Sequence, residues 1–427
     1  MAVGSVTERD PEIVVIGGGI IGVCCAIELL RDGHPVTLLE PGEPGGPQQA
    51  SFGNGAWFSP ASVVPTSLPG AWRHVPGYLR DPLGPLAIRW RYLPHLLPWL
   101  MRYLRAGSTI PRVEATARAL RPLIADAPDR HRQLAEEAGV AHLVARQGLL
   151  YVFPSRAAFE AESLAWRLRR DNGVRWIELD QDELRQQEPT IDRRYTFGVL
   201  VQEGAHCLDP GAYVAALMAH AETLGLRRRR ADATGFRIEG GRLLAVQTGA
   251  GEVPASRAII AAGARSAPLA ALAGDRVPLE TERGYHIAIA SPEATPRHPI
   301  MPSDGKMANT VTAGALRIAG QIELAGVDAP PNWKRADILR DFALRTYPGL
   351  PRDLQADRVS MWMGHRPSMA DGLPVIGPAT GCADVVHAFG HGHIGLAAGP
   401  LTGALVADLV AGRDPVIDPA PYRVSRF

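Results

Sequence analysis

The chain has 427 residues, 46% of them hydrophobic and 21% charged, with 45 basic residues against 44 acidic ones and a formal net charge of +1. That balance gives no global field for nucleic acid or an acidic polymer, and the length predicts two domains rather than one core. The four cysteines, Cys24, Cys25, Cys207 and Cys382, show no C-x-x-C spacing, and the short polar stretch 1–11 has no secretory pattern, so a cytoplasmic protein with reduced thiols is expected.

The first apolar run, Ile13 to Ile16, reads as a buried parallel strand, and Gly17, Gly19 and Gly22 form G-x-G-x-x-G where strand should become helix. Gly17 permits the tight turn, Gly19 admits a pyrophosphate close to backbone, and Gly22 lets helix pack on strand. Ile20 and Ile21 open a helix whose N-terminus suits phosphate, Gly33 ends it, and residues 36–39 form a second strand. Glu40, followed by Pro41, closes that strand where a carboxylate accepts from ribose hydroxyls; an acid there favours an unphosphorylated ribose, hence FAD or NAD.

Small residues between 50 and 65, among them Ala50, Ser51, Asn54 and Gly55, predict backbone lying against a ligand. Residues 68–105 interleave Trp72, Tyr78, Trp90, Tyr92, Trp99 and Tyr103 with Arg73, Arg80, Arg89, Arg91, Arg102 and Arg105, against one acid, Asp81. This segment reads either as a peripheral membrane contact or as a wall over the active site, and its prolines at 76, 82, 85, 94 and 98 favour the wall. Helical patterns cover 86–104 and 113–138, and 148–153 reads as a strand. Asp209-Pro210 starts a helix that ends at Gly225. The apolar strand 257–263 brings Ala262 and Gly263 back to the cofactor, while alternation over 277–289 and 316–324 predicts antiparallel strands of a second sheet. The longest apolar stretch, 394–407, is short and glycine-rich, which fits a buried core helix.

The last third contains Gly364, Arg366, Pro367, Asp371, Gly372, Pro374 and Gly377 in a G-x-R-P-x-x-x-D-G-x-P-x-x-G pattern, then the loop Gly390-His391-Gly392-His393-Ile394-Gly395. With the N-terminal unit, Asn54-Gly55 and the run 259–266, these residues resemble the D-amino-acid oxidase superfamily of flavoproteins, most closely the bacterial D-amino-acid dehydrogenases, over essentially the whole chain. The resemblance implies an α/β fold: a Rossmann-like, glutathione-reductase-like FAD-binding domain (1–60, 198–275 and 360–427) interleaved with an α+β substrate domain on an antiparallel sheet (61–197 and 276–359).

It further implies FAD rather than NAD, and oxidative deamination of a free D-amino acid by hydride transfer from Cα to flavin N5, with a quinone or other acceptor taking the electrons at the inner face of the cytoplasmic membrane. Cyclic or secondary amines (D-proline, hydroxy-D-proline, sarcosine or glycine) and a flavin-binding electron-transfer subunit are the alternatives. Arg366 matches the family's carboxylate-binding arginine, whose planar fork orients the Cα–H bond. Tyr285 matches the Gly-Tyr strand facing the substrate. Gly392, His393, Ile394 and Gly395 run beside the flavin pyrimidine edge, where a helix N-terminus stabilises developing negative charge. Gly364 lies against the flavin, and the backbone near Ala233 meets adenine. His365 touches the substrate side chain or only packs. No metal is implied, since hydride transfer is the cofactor's chemistry.

Overall fold

The strand Ile13–Ile16 is buried along its whole length and lies at the centre of a six-stranded sheet in a computed structural model that describes residues 12–427. The sheet order is Arg227–Arg229, Val36–Leu39, Ile13–Ile16, Arg257–Ile260, Val385–Phe389, Val375–Pro378; all pairs are parallel except the last. The inner strands are four or five residues long and, Arg257 and His387 apart, consist of buried apolar or small residues, the pattern expected when helices or a second layer cover both faces. The arginine-rich strand Arg227–Arg229 is the exposed edge, its charges paired with Glu12, Glu43 and Glu222.

Helix Ile20–Arg31 covers one face and packs along the C-terminal helix Gly395–Ala411. This contact explains the glycines of the longest apolar stretch. A Cβ on Gly403 would lie 2.6 Å from Cys24 O, and one on Gly399 would lie 2.9 Å from Ile20 Cγ1. The helix is long and apolar enough to cross a membrane, and its apolar surface is spent on the core instead.

The second large sheet has nine strands. Its order runs Val359–Met369, Leu279–Ala290, Ala315–Leu324, Ala308–Thr312, Ile300–Pro302, Leu149–Phe153, Phe197–Val201, Ile177–Leu179, with Leu86–Ile88 parallel to the end of Ala315–Leu324. One face packs on helix Lys334–Thr346 through Tyr285, Ile287 and Ile318, and the other faces the nucleotide domain. A three-stranded meander, Ala233–Glu239 to Gly251–Pro254, flanks the parallel sheet.

Three expectations need correction. Strands Phe197–Val201 and Val359–Met369 belong to the nine-stranded sheet, so the boundaries expected at 198 and 360 cut through substrate-domain strands. Segment 113–138 is two helices, Ile110–Ile124 and Ala127–Glu137, and both bury apolar residues against Gly395–Ala411, while Val113 and Ala117 of the first also pack on Leu168 of the substrate domain. Segment 86–104 begins as strand Leu86–Ile88, because Ile322 to Leu324 offer it an edge, and becomes helix only at Leu93–Ala106.

Candidate active site

At the nucleotide end, Gly17 adopts φ +107°, a left-handed conformation that a side chain would strain. A Cβ on Gly22 would lie 1.9 Å from Gly17 O, so the helix can only sit this close to the turn with glycine there. The Gly17 N–H donates to Leu39 O at 2.9 Å, which ties the turn to the second strand. Glu40 is buried at that strand's end; its Oε2 accepts from the Gly18 N–H at 2.7 Å and its Oε1 from the Gly42 N–H at 3.0 Å. A carboxylate has about four acceptor positions, so these bonds leave room for ribose hydroxyls. Gln49 donates to Gly18 O (3.0 Å), and its buried Oε1 has no partner among the described residues.

Ser51 Oγ accepts from the Ile20 N–H at 3.1 Å, at the first turn of a helix whose N-cap, Gly19, has no side chain to offer. The other first-turn amides, Ile21 and Gly22 among them, have no intrahelical partner, which is the condition for holding a pyrophosphate. Ala261 N donates to Ile16 O at 2.9 Å, bringing Ala262 and Gly263 (φ +57°) beside Gly17 as expected. Glu40 N donates to Arg229 O, and Arg230 donates to Pro41 O just before the chain reaches Ala233, so the adenosine end is bounded by 40–41 and 229–233. The arrangement fits the diphosphate and ribose of FAD.

The segment from Ala50 to Gly55 is held from the other side by the large sheet. Arg317 Nη1 donates to Phe52 O (3.1 Å) and Asn54 O (3.0 Å), the Gly53 carbonyl meets His286 Nδ1 at 3.1 Å, and Thr310 donates to Gly55 O at 3.0 Å. The Trp362 indole stacks on His286, 5.1 Å between centroids, and a Cβ on either Gly53 or Gly364 would lie 2.0 Å from it. Burial pushes Arg317 down to about 10, still charged at neutral pH, and pushes His286 down to about 3, so it is neutral. These side chains sit on alternating strand positions whose partners are set by register, and no motif marks them in the sequence.

Arg366 lies on the face of the large sheet that looks at the nucleotide domain. It pairs directly with Glu282, as Gly364 pairs with Gly284, and its guanidinium lies over Gly284, where a Cβ would come within 2.4 Å of Cζ. Nη1 donates to Gln321 O at 3.1 Å. Tyr285, by the alternation of a strand, points to the opposite face and does not look into the cleft. Its hydroxyl donates to Glu323 Oε2 at 2.6 Å and accepts from the Asn332 N–H at 3.0 Å, and it is 1% exposed. His365 shares that far face and meets Thr281 Oγ1 at 2.9 Å, so it packs.

The loop 390–392 docks on the end of the same strand, with Gly392 N donating to Pro367 O at 2.7 Å and Ser368 bridging His391. This carries His393 to the cleft beside Arg366, at the N-terminus of helix Gly395–Ala411, with Ile394 as an N-cap that gives no side-chain bond. Surrounding protein and then Arg366 push His393 down to about 4, so it presents a neutral imidazole. His391 faces away: it is buried, held neutral by burial at about 3, and bonded to Thr402 Oγ1 at 3.0 Å. A cavity at this loop is lined by Pro65, Thr66, Glu282, Ser368, His391 and His393. Helix Leu93–Ala106 closes its outer side, with Trp99 donating to Ser368 O at 3.1 Å and Tyr103 to Thr66 O at 2.9 Å, so one face of 68–105 is the wall.

The family model for FAD dependent oxidoreductases, abbreviated DAO, matches residues 12–409. A D-amino-acid oxidase of Bradyrhizobium diazoefficiens is 56% identical over 97% of this chain and 98% of its own length. A D-amino acid dehydrogenase of Cereibacter sphaeroides is 30% identical over 97% of this chain and 95% of its own. Among solved structures, L-proline dehydrogenase from P. horikoshii superposes with a TM-score of 0.73 at 19% identity, covering 98% of both chains, and glycine oxidase from Bacillus cereus gives 0.71 at 19%, covering 95% of this chain and 99% of its own. The family model and both sequence relatives cover nearly the whole chain: the chain belongs to the DAO family of FAD-dependent oxidoreductases.

Proposed function

We propose that the protein oxidises free D-amino acids at Cα, giving an imino acid that water hydrolyses to the 2-oxo acid and ammonia. The observation that carries the reading is Arg366, a half-buried guanidinium on the cleft-facing side of the sheet with one hydrogen bond among the described residues, beside the helix N-terminus at Gly395. Bound FAD supplies the acceptor for the two electrons and the hydrogen that leave Cα. Arg366 fixes the substrate carboxylate by a two-point fork, which orients the Cα–H bond. The N-terminal dipole of helix Gly395–Ala411 stabilises negative charge at the cleft, neutral His393 adds a polar edge without a competing charge, and the wall of helix Leu93–Ala106 excludes water. The fold alone does not set handedness, since an L-proline dehydrogenase shares it; the D assignment follows the sequence relatives.

The test is anaerobic reduction of the holoenzyme by D-amino acids, D-proline and glycine, each beside its L-enantiomer where one exists. Bleaching of the flavin band by D compounds alone is expected. Arg366→Ala is expected to keep FAD and lose about 2–5 kcal/mol of transition-state binding, roughly 30-fold to several-thousand-fold in kcat/KM. Unchanged turnover of a small D-amino acid by this variant would remove Arg366 from its role.

We further propose that the outer face of 68–105 rests on the inner face of the cytoplasmic membrane, where a quinone takes the electrons. Trp72, Trp90, Leu97 and Met101 are exposed there, 49–63% each, among exposed Arg73, Arg80, Arg91, Arg102 and Arg105. Sedimentation with anionic liposomes at low salt, lost on Trp72→Ala with Trp90→Ala, is expected; protein that stays in the supernatant would refute the contact.

A further inference from the structure

The cleft-facing side of the sheet carries a second buried charge that the reading above leaves unused. Glu282 sits directly opposite Arg366 on the neighbouring strand, is 6% exposed, and lines the cavity at the loop 390–394. Directly opposed residues hold their Cβ atoms about 4.5–5.5 Å apart. Yet the two do not join: Arg366 turns to Gln321 O, no ion pair links it to Glu282 among the described residues, and Ser368 is the hydroxyl beside the carboxylate. Burial raises the Glu282 carboxyl and Arg366 opposes that rise, while burial lowers Arg366 and Glu282 opposes it. A buried carboxylate left apart from a half-buried guanidinium is costly unless something completes the pair.

We infer that Glu282 is the recognition residue for the substrate's α-ammonium group, so that Arg366 and Glu282 together present a plus-minus pair complementary to a zwitterion. The inference rests on the amino-acid reading of this site and names the group that tells an amino acid from a plain carboxylate.

The test uses holoenzyme and ligands that are not oxidised. 2-Aminoisobutyrate has the α-ammonium but no Cα–H, and 2-methylpropanoate has the same two methyls and carboxylate with hydrogen in place of the ammonium; binding of each is followed by calorimetry and by perturbation of the flavin spectrum. Glu282→Gln is expected to weaken 2-aminoisobutyrate at least tenfold and to leave 2-methylpropanoate unchanged or tighter, and Glu282→Asp is expected to recover part of the loss. Equal weakening of both ligands, or no weakening of either, would overturn the assignment. So would a loss confined to α-methylornithine, which carries a second cation on its side chain. If the unaltered holoenzyme bound neither small ligand, the amino-acid reading would fall and the inference with it. Binding of 2-methylpropanoate that Arg366→Ala abolishes keeps the two failures distinguishable.

Discussion

Replacing Arg317 by Met separates what this side chain does for the fold from what it does for the cofactor. The guanidinium is 7% exposed, and its shift from 12.5 to about 10 corresponds to about 3 kcal/mol of burial cost, at about 1.4 kcal/mol per pKa unit. Its two bonds, to Phe52 O and Asn54 O, are charge-assisted and are worth about 1.5–3 kcal/mol each. The substitution therefore gives up about 3–6 kcal/mol and recovers about 3, a net loss of roughly 0–3 kcal/mol in global stability. The local effect is larger in kind, because 52–54 loses the clamp that presses it toward the nucleotide helix. A looser segment is expected to raise the FAD dissociation constant about 10- to 100-fold, about 1.4–2.8 kcal/mol. Chemical denaturation of the apoprotein gives the first quantity and FAD titration the second. A variant with markedly lower apoprotein stability and unaltered FAD affinity would refute the reasoning.

Gly22→Ala places a methyl 1.9 Å from Gly17 O and is expected to cost about 1–3 kcal/mol as the helix shifts off the turn, with loss of FAD on gel filtration as the readout. Tyr285→Phe removes the hydroxyl bonded to Glu323 and Asn332 and is expected to lower the melting temperature while KM for a small D-amino acid stays within about twofold; a large rise in KM would return Tyr285 to the substrate. Stability should fall as pH drops below 6.5. His131, His286 and His391, held at about 3, and His206, at about 4, are all lowered by burial, so the unfolded chain takes protons first. Their contribution is full above the unfolded value and is lost from about pH 6.5 toward pH 3–4, each site costing up to about 1.4 kcal/mol per pH unit. Urea midpoints measured from pH 8 to 4.5 check this, and a flat profile would contradict the neutral burial of these rings.

What the sequence revealed follows from how local each signal is. The turn 17–22, Glu40 and the cap at Asp209, which accepts from Ala212 N at 3.0 Å, are set within a few tens of residues and were legible. Arg366 was legible from its motif. Tyr285 was misplaced because the motif names the strand but not which face each residue takes, and a one-residue difference inverts every side chain. Glu282, His286, Arg317 and Trp362 carry no signal in the sequence because their meaning lies in cross-strand neighbours, which only the register supplies. The boundary at 360 failed because a single strand, Val359–Met369, carries Arg366 on one sheet and delivers the chain to the other.

The pairing of Ile13–Ile16 with Arg257–Ile260, and of helix Ile20–Arg31 with Gly395–Ala411, also sets a timetable for the growing chain. A nascent polypeptide emerging from the ribosome would hold an exposed strand edge and an uncovered apolar helix until nearly all of its residues had been made. Such non-local contacts slow folding and prolong exposure of sticky surface. Trimming the chain before Gly395 should therefore yield aggregates rather than a smaller soluble unit, and recombinant yield should respond to slower synthesis or added chaperones.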